Sequence, residues 1–184
     1  MTTAEPVRTR PLYRWEYEAL GEQGYFADEK VELLDGRIVL AAEEGSPHAA
    51  VIRRLSRILF GAIPAHEGEI GVGNPLAISA TSEPEPDLMV IAPAASYRHA
   101  HPRTASLVIE VAQASRASDL GLKARLYAAA GVDDYWVVDL TRDELVVHRD
   151  PDGPAYRAVT RHRGGVVRAL HHPAGAVDVA AVLR

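Results

Sequence analysis

Residues 106–140 read SLVIEVAQASRASDLGLKARLYAAAGVDDYWVVDL, and this stretch decides the fold. SLVIEVA is a short continuous apolar run, the pattern of a strand buried on both faces of a central sheet. SDLGLKARLYAAAG then changes to helical spacing and stops at Gly131, a residue suited to a helix C-terminus. DYWVVDL returns to strand. Strand, helix and strand in this order form a βαβ unit, whose two strands run parallel. The sequence therefore predicts an α/β domain built on a mixed sheet.

Upstream, Tyr13 to Leu20 carry apolar positions at helical spacing, and Gly21 and Gly24 interrupt the pattern. VELLDGRIVLA places two apolar runs around Asp35-Gly36, the dipeptide of a two-residue hairpin turn. A second helix is expected after Ser46-Pro47, with Ser46 as cap, Pro47 at its first position, and Val51, Leu55, Ile58 and Leu59 on one face. Pro64 closes it. Residues 68–80 read as one or two strands, and LMVIA follows as another. Downstream, LVVHRD, YRAVTRH and GVVRALHH read as antiparallel strands before a last apolar segment, VDVAAVL. The expected fold is thus a core sheet flanked by helices, with an added N-terminal hairpin and added C-terminal antiparallel strands.

At 184 residues the chain suits one domain, 1–184, with residues 1–11 read as flexible. It has no cysteine, which excludes disulfides and thiolate metal sites and fits a reducing compartment. The N-terminus lacks the apolar segment of a signal peptide, and no run approaches the roughly 18 apolar residues of a membrane span. Cytoplasmic location and no membrane partner are the expectations. A net charge of -5 argues against bulk coating of nucleic acid. Arg53, Arg54 and Arg57, or Arg161, Arg163 and Arg168, would supply a local basic surface or simply a solvated face.

Three charged residues stand where the pattern calls for apolar ones. Asp87 opens LMVIA, Glu110 shares the side of its strand with Val108 and Ala112, and Lys123 opens the helix that follows. Lys123 is also one of only two lysines among 20 Lys and Arg residues. A compact ammonium serves where a planar guanidinium does not, though a helix pair with Asp119 would equally account for it. A buried carboxylate needs a partner or a metal. Asp87 and Glu110 on neighbouring strands would form a hard oxygen site suited to Mg²⁺, with an ammonium beside it for phosphodiester hydrolysis. The alternative has Asp87 capping a turn and Glu110 paired with an arginine. The acid–lysine reading requires Asp87, Glu110 and Lys123 to meet at one edge of the sheet, although the first and last are 36 residues apart.

Pro86-Asp87, Glu110-Val111, the spacing Asp119, Lys123, Tyr127 and the following AGVDDYWVVD resemble the Uma-type restriction endonuclease family, of the PD-(D/E)xK nuclease superfamily. VELLDG, Ser46-Pro47-His48 and LHHPAGAVDVAAVL extend the likeness over nearly the whole chain. The resemblance implies a restriction-endonuclease-like fold and a Mg²⁺-dependent, or Mn²⁺-dependent, DNA endonuclease. It implies Asp87 and Glu110 as metal ligands with the Val111 carbonyl, and Lys123 as the lysine, moved from the superfamily's usual place, here Ala112. Gln113 and Ala114 depart from the family's Ser-Pro at the site mouth and put substrate choice in doubt. Supporting candidates are Glu32 as an extra acid or a surface charge, and His48 facing the site or bonding locally. Tyr127 would order the lysine, meet substrate, or serve the core; Tyr135 and Trp136 are read as packing residues. His99 with His101, and His171 with His172, lack companion ligands and read as loop or surface histidines.

Three functions compete: a DNA endonuclease; a catalytically reduced nuclease fold kept as a nucleic-acid-binding or regulatory scaffold; and a metal-dependent hydrolase of small phosphoesters, which would explain the acidic charge but to which the family likeness does not point. A double-strand cut needs two sites or sequential nicks, and a homodimer is one arrangement that supplies them.

Overall fold

The computed structural model describes residues 9–42, 45–93 and 100–184. The expected flexible segment 1–11 and His99 fall wholly or partly outside these residues.

The βαβ unit stands at the centre. Strand β5 (Leu107–Ala112) is buried along its whole length and pairs in parallel with β6 (Asp134–Asp139), Val108 beside Tyr135 and Ala112 beside Asp139. Together with β3 (Glu69–Val72), β4 (Leu88–Ile91), β7 (Glu144–Asp152) and β8 (Ala155–His162), these form a six-stranded sheet ordered β3-β4-β5-β6-β7-β8. All its other pairings are antiparallel. Residues 68–80 thus yield a single strand, and β7 and β8 extend the central sheet instead of standing apart from it. The hairpin β1 (Val31–Leu34) and β2 (Arg37–Leu40) is a separate two-stranded sheet, as is β9 (Val166–Arg168) with β10 (Ala176–Asp178).

Alternation along the strands divides the core in two. One face of the sheet, including Leu107, Ile109, Val111, Trp136 and Val138, packs on helix α2 (Ser46–Ala62) through Val51, Leu55 and Leu59. The short C-terminal helix α5 (Val179–Leu183) packs on this side also. The opposite face, with Val108, Ala112, Tyr135 and Val137, packs on Ala124 and Tyr127. Those two belong to a continuous helical run: α3 (Arg116–Ser118), a π-helical turn (Asp119–Lys123) and α4 (Ala124–Ala129). Lys123 therefore sits within the run and does not open it. Gly131, at φ 75°, ends the unit as expected.

Local chemistry explains the other helix boundaries. Helix α1 (Arg14–Glu22) runs through Gly21 and ends before Gly24, which takes the left-handed φ of 81°. Helix α2 is capped by Gly45, not by Ser46, which becomes its first residue. No helix among the described residues is long and apolar enough to cross a membrane.

The Asp35-Gly36 turn has φ of 51° and 71°, both positive as a two-residue hairpin of this kind requires. A Cβ at Gly36 would lie 2.3 Å from that of Pro11, while the Gly36 carbonyl accepts from Leu12 N at 2.9 Å. Backbone freedom and close approach both demand glycine here. Gly36→Ala should lower stability by about 1–3 kcal/mol, read as a fall in melting temperature.

Candidate active site

Strands β4 and β5 pair with Leu88 opposite Ile109, so Asp87, just before β4, comes level with Glu110. Both strands are interior, so the acids meet at the ends of two inner strands and not at the sheet's edge. Glu110 lies on the face of Val108 and Ala112, under the helical run. The Lys123 ammonium reaches across to it, Nζ 3.0 Å from Glu110 Oε1, and donates also to Glu32 Oε1 at 2.9 Å. Glu32 belongs to β1 and is itself held by the Glu85 N–H, which donates to its Oε1 at 2.7 Å. Tyr127, four residues beyond Lys123, donates its hydroxyl to Glu110 Oε1 at 2.9 Å. On the other acid, Asp87 Oδ2 accepts from the Val111 N–H at 2.7 Å and lies 3.1 Å from His48 Nε2. A cleft of about 250 Å³ opens onto these groups, with Gln113 and Ala114 on its wall.

Five carboxylates, Glu32, Glu85, Asp87, Glu110 and Asp119, line this cleft against two lysines, Lys30 and Lys123. Charge imbalance and burial together set the protonation. Burial raises the pKa of Glu110 well above the ordinary range; Lys123 opposes that, while Asp119, Asp87 and Glu32 reinforce it. Burial works against the charge of Lys123, but Glu110, Glu32 and Asp119 outweigh it and raise its pKa. The ammonium is thus retained through the neutral range. Asp119 is pushed up to about 6 by burial, and its Oδ1 is buried without a hydrogen-bond partner.

Among the described residues, no three His, Asp or Glu side chains are grouped to hold a metal ion by themselves. The donor set fits a metal that asks less of the protein. The side-chain bonds above fall on Oδ2 of Asp87 and Oε1 of Glu110, so each acid keeps its second oxygen for another ligand. Two hard carboxylate oxygens, with water and substrate phosphate completing the shell, are what Mg²⁺ commonly takes from a protein.

The sequence matches the Uma2 family, described as putative restriction endonuclease, over residues 15–177. The chain belongs to the Uma2 family. A solved structure, a putative nuclease belonging to DUF820 from Anabaena variabilis ATCC 29413, shares the fold with a TM-score of 0.73. Identity is 13%, over 94% of this chain and 98% of that one. The architecture is therefore that of a nuclease fold. No curated protein matches the chain.

Within this Uma2 chain the structure brings the six residues together in two adjoining sets, Lys123 with Glu32, Glu110 and Tyr127, and Asp87 with His48. The Lys123 ammonium turns to Glu32 and Glu110 instead of forming the simple helix pair with Asp119, and of the three roles expected for Tyr127 the core one holds: it is fully buried, its hydroxyl satisfied by Glu110. Gln113 is exposed at the mouth. Tyr135 and Trp136 are fully buried, the latter donating Nε1 to Asp134 Oδ1 at 2.7 Å. His172 is not a surface residue: it is buried, with Nε2 3.0 Å from Ser106 Oγ, while His101 is exposed. Sequence reasoning missed Asp119 and Glu85 as cleft acids. The spacing of Asp119 four residues before Lys123 was a usable signal; nothing local marked Glu85.

Glu83 carries a separate acid strain beside this cleft. It is buried, with Arg14 Nη1 3.6 Å from its Oε2. Burial, reinforced by Glu18, pushes its pKa up to about 7 from an ordinary 4.5, against the pull of Arg14. Because the folded-state pKa is raised, its contribution to stability is intact below the unfolded value and is lost as pH rises through about 7. Glu83→Gln should therefore raise stability at pH 8 by roughly 2–3 kcal/mol and leave it unchanged near pH 4. Melting curves across that range test the sign.

Proposed function

We propose that the protein is a metal-dependent DNA endonuclease hydrolysing phosphodiester bonds, with Asp87, Glu110 and Lys123 as its catalytic residues. The observation that carries this reading is the buried ammonium held between Glu110 and Glu32, beside an acid, Asp87, with an oxygen to spare. Mg²⁺, or Mn²⁺ in its place, would be held by Asp87 and Glu110 with the Val111 carbonyl, and would supply Lewis-acid stabilisation of phosphoryl oxygens and a more acidic water.

The chain's own groups have distinct tasks. Lys123 stays protonated, so it acts as a fixed positive charge that stabilises negative charge on the phosphate or the attacking oxygen, and not as a base. Glu32 and Tyr127 position Lys123 and Glu110 through the bonds given above. His48 and the Val111 N–H fix the direction of Asp87. Gln113, exposed at the mouth, contacts substrate. The absence of cysteine agrees with a cytoplasmic site of action, and a homodimer would bring two clefts to one duplex.

A second reading, a nuclease-fold scaffold that binds nucleic acid or regulates without cutting, is favoured by the lack of a self-sufficient metal cluster among the described residues. One experiment separates them: plasmid and single-stranded DNA cleavage with Mg²⁺, Mn²⁺ and chelator, beside duplex binding over a series of salt concentrations. Metal-dependent cleavage abolished in Asp87→Asn supports the endonuclease. Steeply salt-dependent binding without cleavage under any metal supports the scaffold. Flat salt dependence and no cleavage would defeat both.

A further inference from the structure

The N-terminal hairpin leaves one strand edge open. Glu83 N donates to the Leu33 carbonyl at 2.7 Å, so the backbone groups of Leu33 point away from β2, and Leu33 and Ile38 form a non-hydrogen-bonded pair. The bond from Ala41 N to the Lys30 carbonyl, 2.8 Å, fixes the same alternation from the other end. Glu32 with Val39 and Leu34 with Arg37 exchange backbone bonds; Val31 with Leu40 and Leu33 with Ile38 do not. It follows that the N–H and C=O groups of Ile38 and Leu40 face outward, and no other strand reaches them among the described residues. Their side chains share one face and are 42% and 66% exposed.

Soluble proteins ordinarily blunt such an edge with charge. Strand β8 at the end of the central sheet follows that rule. Pairing two copies of it about Val159 would set Arg157 against Arg161, like charge against like. Strand β2 has no such block. Pairing about Val39 sets Ile38 opposite Leu40, and the one charged side chain, Arg37, opposite Ala41.

We infer that β2 pairs antiparallel with β2 of a second copy of this chain, about a twofold axis at Val39. Ile38 and Leu40 of the second copy then exchange both backbone hydrogen bonds, twice by symmetry, and the four exposed apolar side chains cover one another. The contact is isologous and closes as a dimer. Val39, Leu40 and Ala41 also wall the acidic cleft, so the pairing sets two clefts on either side of the joint. The association itself holds whether or not the cleft cuts DNA.

Because the chain has no cysteine, Val39→Cys introduces a single thiol. Directly opposed residues of a non-hydrogen-bonded antiparallel pair have Cα atoms about 4.5 Å apart, within disulfide reach. The wild type should sediment as a dimer at micromolar concentration, and oxidised Val39→Cys should run as a covalent dimer while Val159→Cys stays monomeric on the same gel. Ile38→Lys with Leu40→Lys opposes like charges across the joint and should weaken association about tenfold or more. Circular dichroism should leave the fold of that variant unchanged, since both side chains are exposed. A wild type that stays monomeric, a dimer indifferent to the paired lysines, or cross-linking at position 159 instead of 39 would each overturn the inference.

Discussion

Lys123→Ala should lose about 3–5 kcal/mol of stability near pH 8, because it strips the counter-charge from two buried carboxylates. Glu32 and Glu110 both bond to this ammonium, at 2.9 and 3.0 Å, and are themselves buried. The loss should shrink as pH falls and Glu110, whose pKa burial raises, takes up its proton. Lys123→Arg should keep most of the stability and lose nearly all cleavage. A guanidinium retains the charge but is larger and planar, and cannot place a compact donor between the two oxygens. Melting curves at two pH values, with cleavage assays on each variant, read both halves. Full activity in Lys123→Arg would defeat the argument for an ammonium; wild-type melting of Lys123→Ala at pH 8 would defeat the buried-charge argument.

Glu110→Gln should separate metal binding from folding. The amide oxygen still accepts from Lys123 and Tyr127, but a neutral group no longer serves as a charged ligand. Calorimetric titration should show Mn²⁺ affinity falling by more than the roughly 10- to 100-fold that losing an outer supporting group costs. Asp87→Asn should do the same. Without metal, Glu110→Gln should melt higher than the wild type at pH 8. The raised folded-state pKa of Glu110 means that its ionisation opposes folding, a cost fully relieved only at acid pH. The advantage of the variant should close as pH falls. Unchanged Mn²⁺ affinity would remove Glu110 from the site, and a lower metal-free melting temperature at pH 8 would show that its bond to Lys123 outweighs the crowding of acids.

Asp87, Glu110 and Lys123 stood out because each is charged within an apolar pattern. Their convergence follows from the βαβ unit, which returns a helix over the strand it follows. The side of the strand that Glu110 occupies was readable too, since alternation is local and places it with Val108 and Ala112. The Asp35-Gly36 turn and the close at Gly131 were equally local, each set by a backbone conformation that few residues adopt.

What only the tertiary structure decided has in common that no local rule reaches it. Glu32 could be a surface charge or a site acid, because its alternation is the same in either case; packing of the hairpin brought it to an ammonium 91 residues away. The pattern of β7 and β8 identified strands but not their neighbours, and pairing with β6 made them part of the central sheet. The π-helical turn at Asp119–Lys123 lies inside an ordinary helical spacing. Periodicity determines which face of an element is apolar, but long-range packing determines what that face, and any charge on it, finally meets.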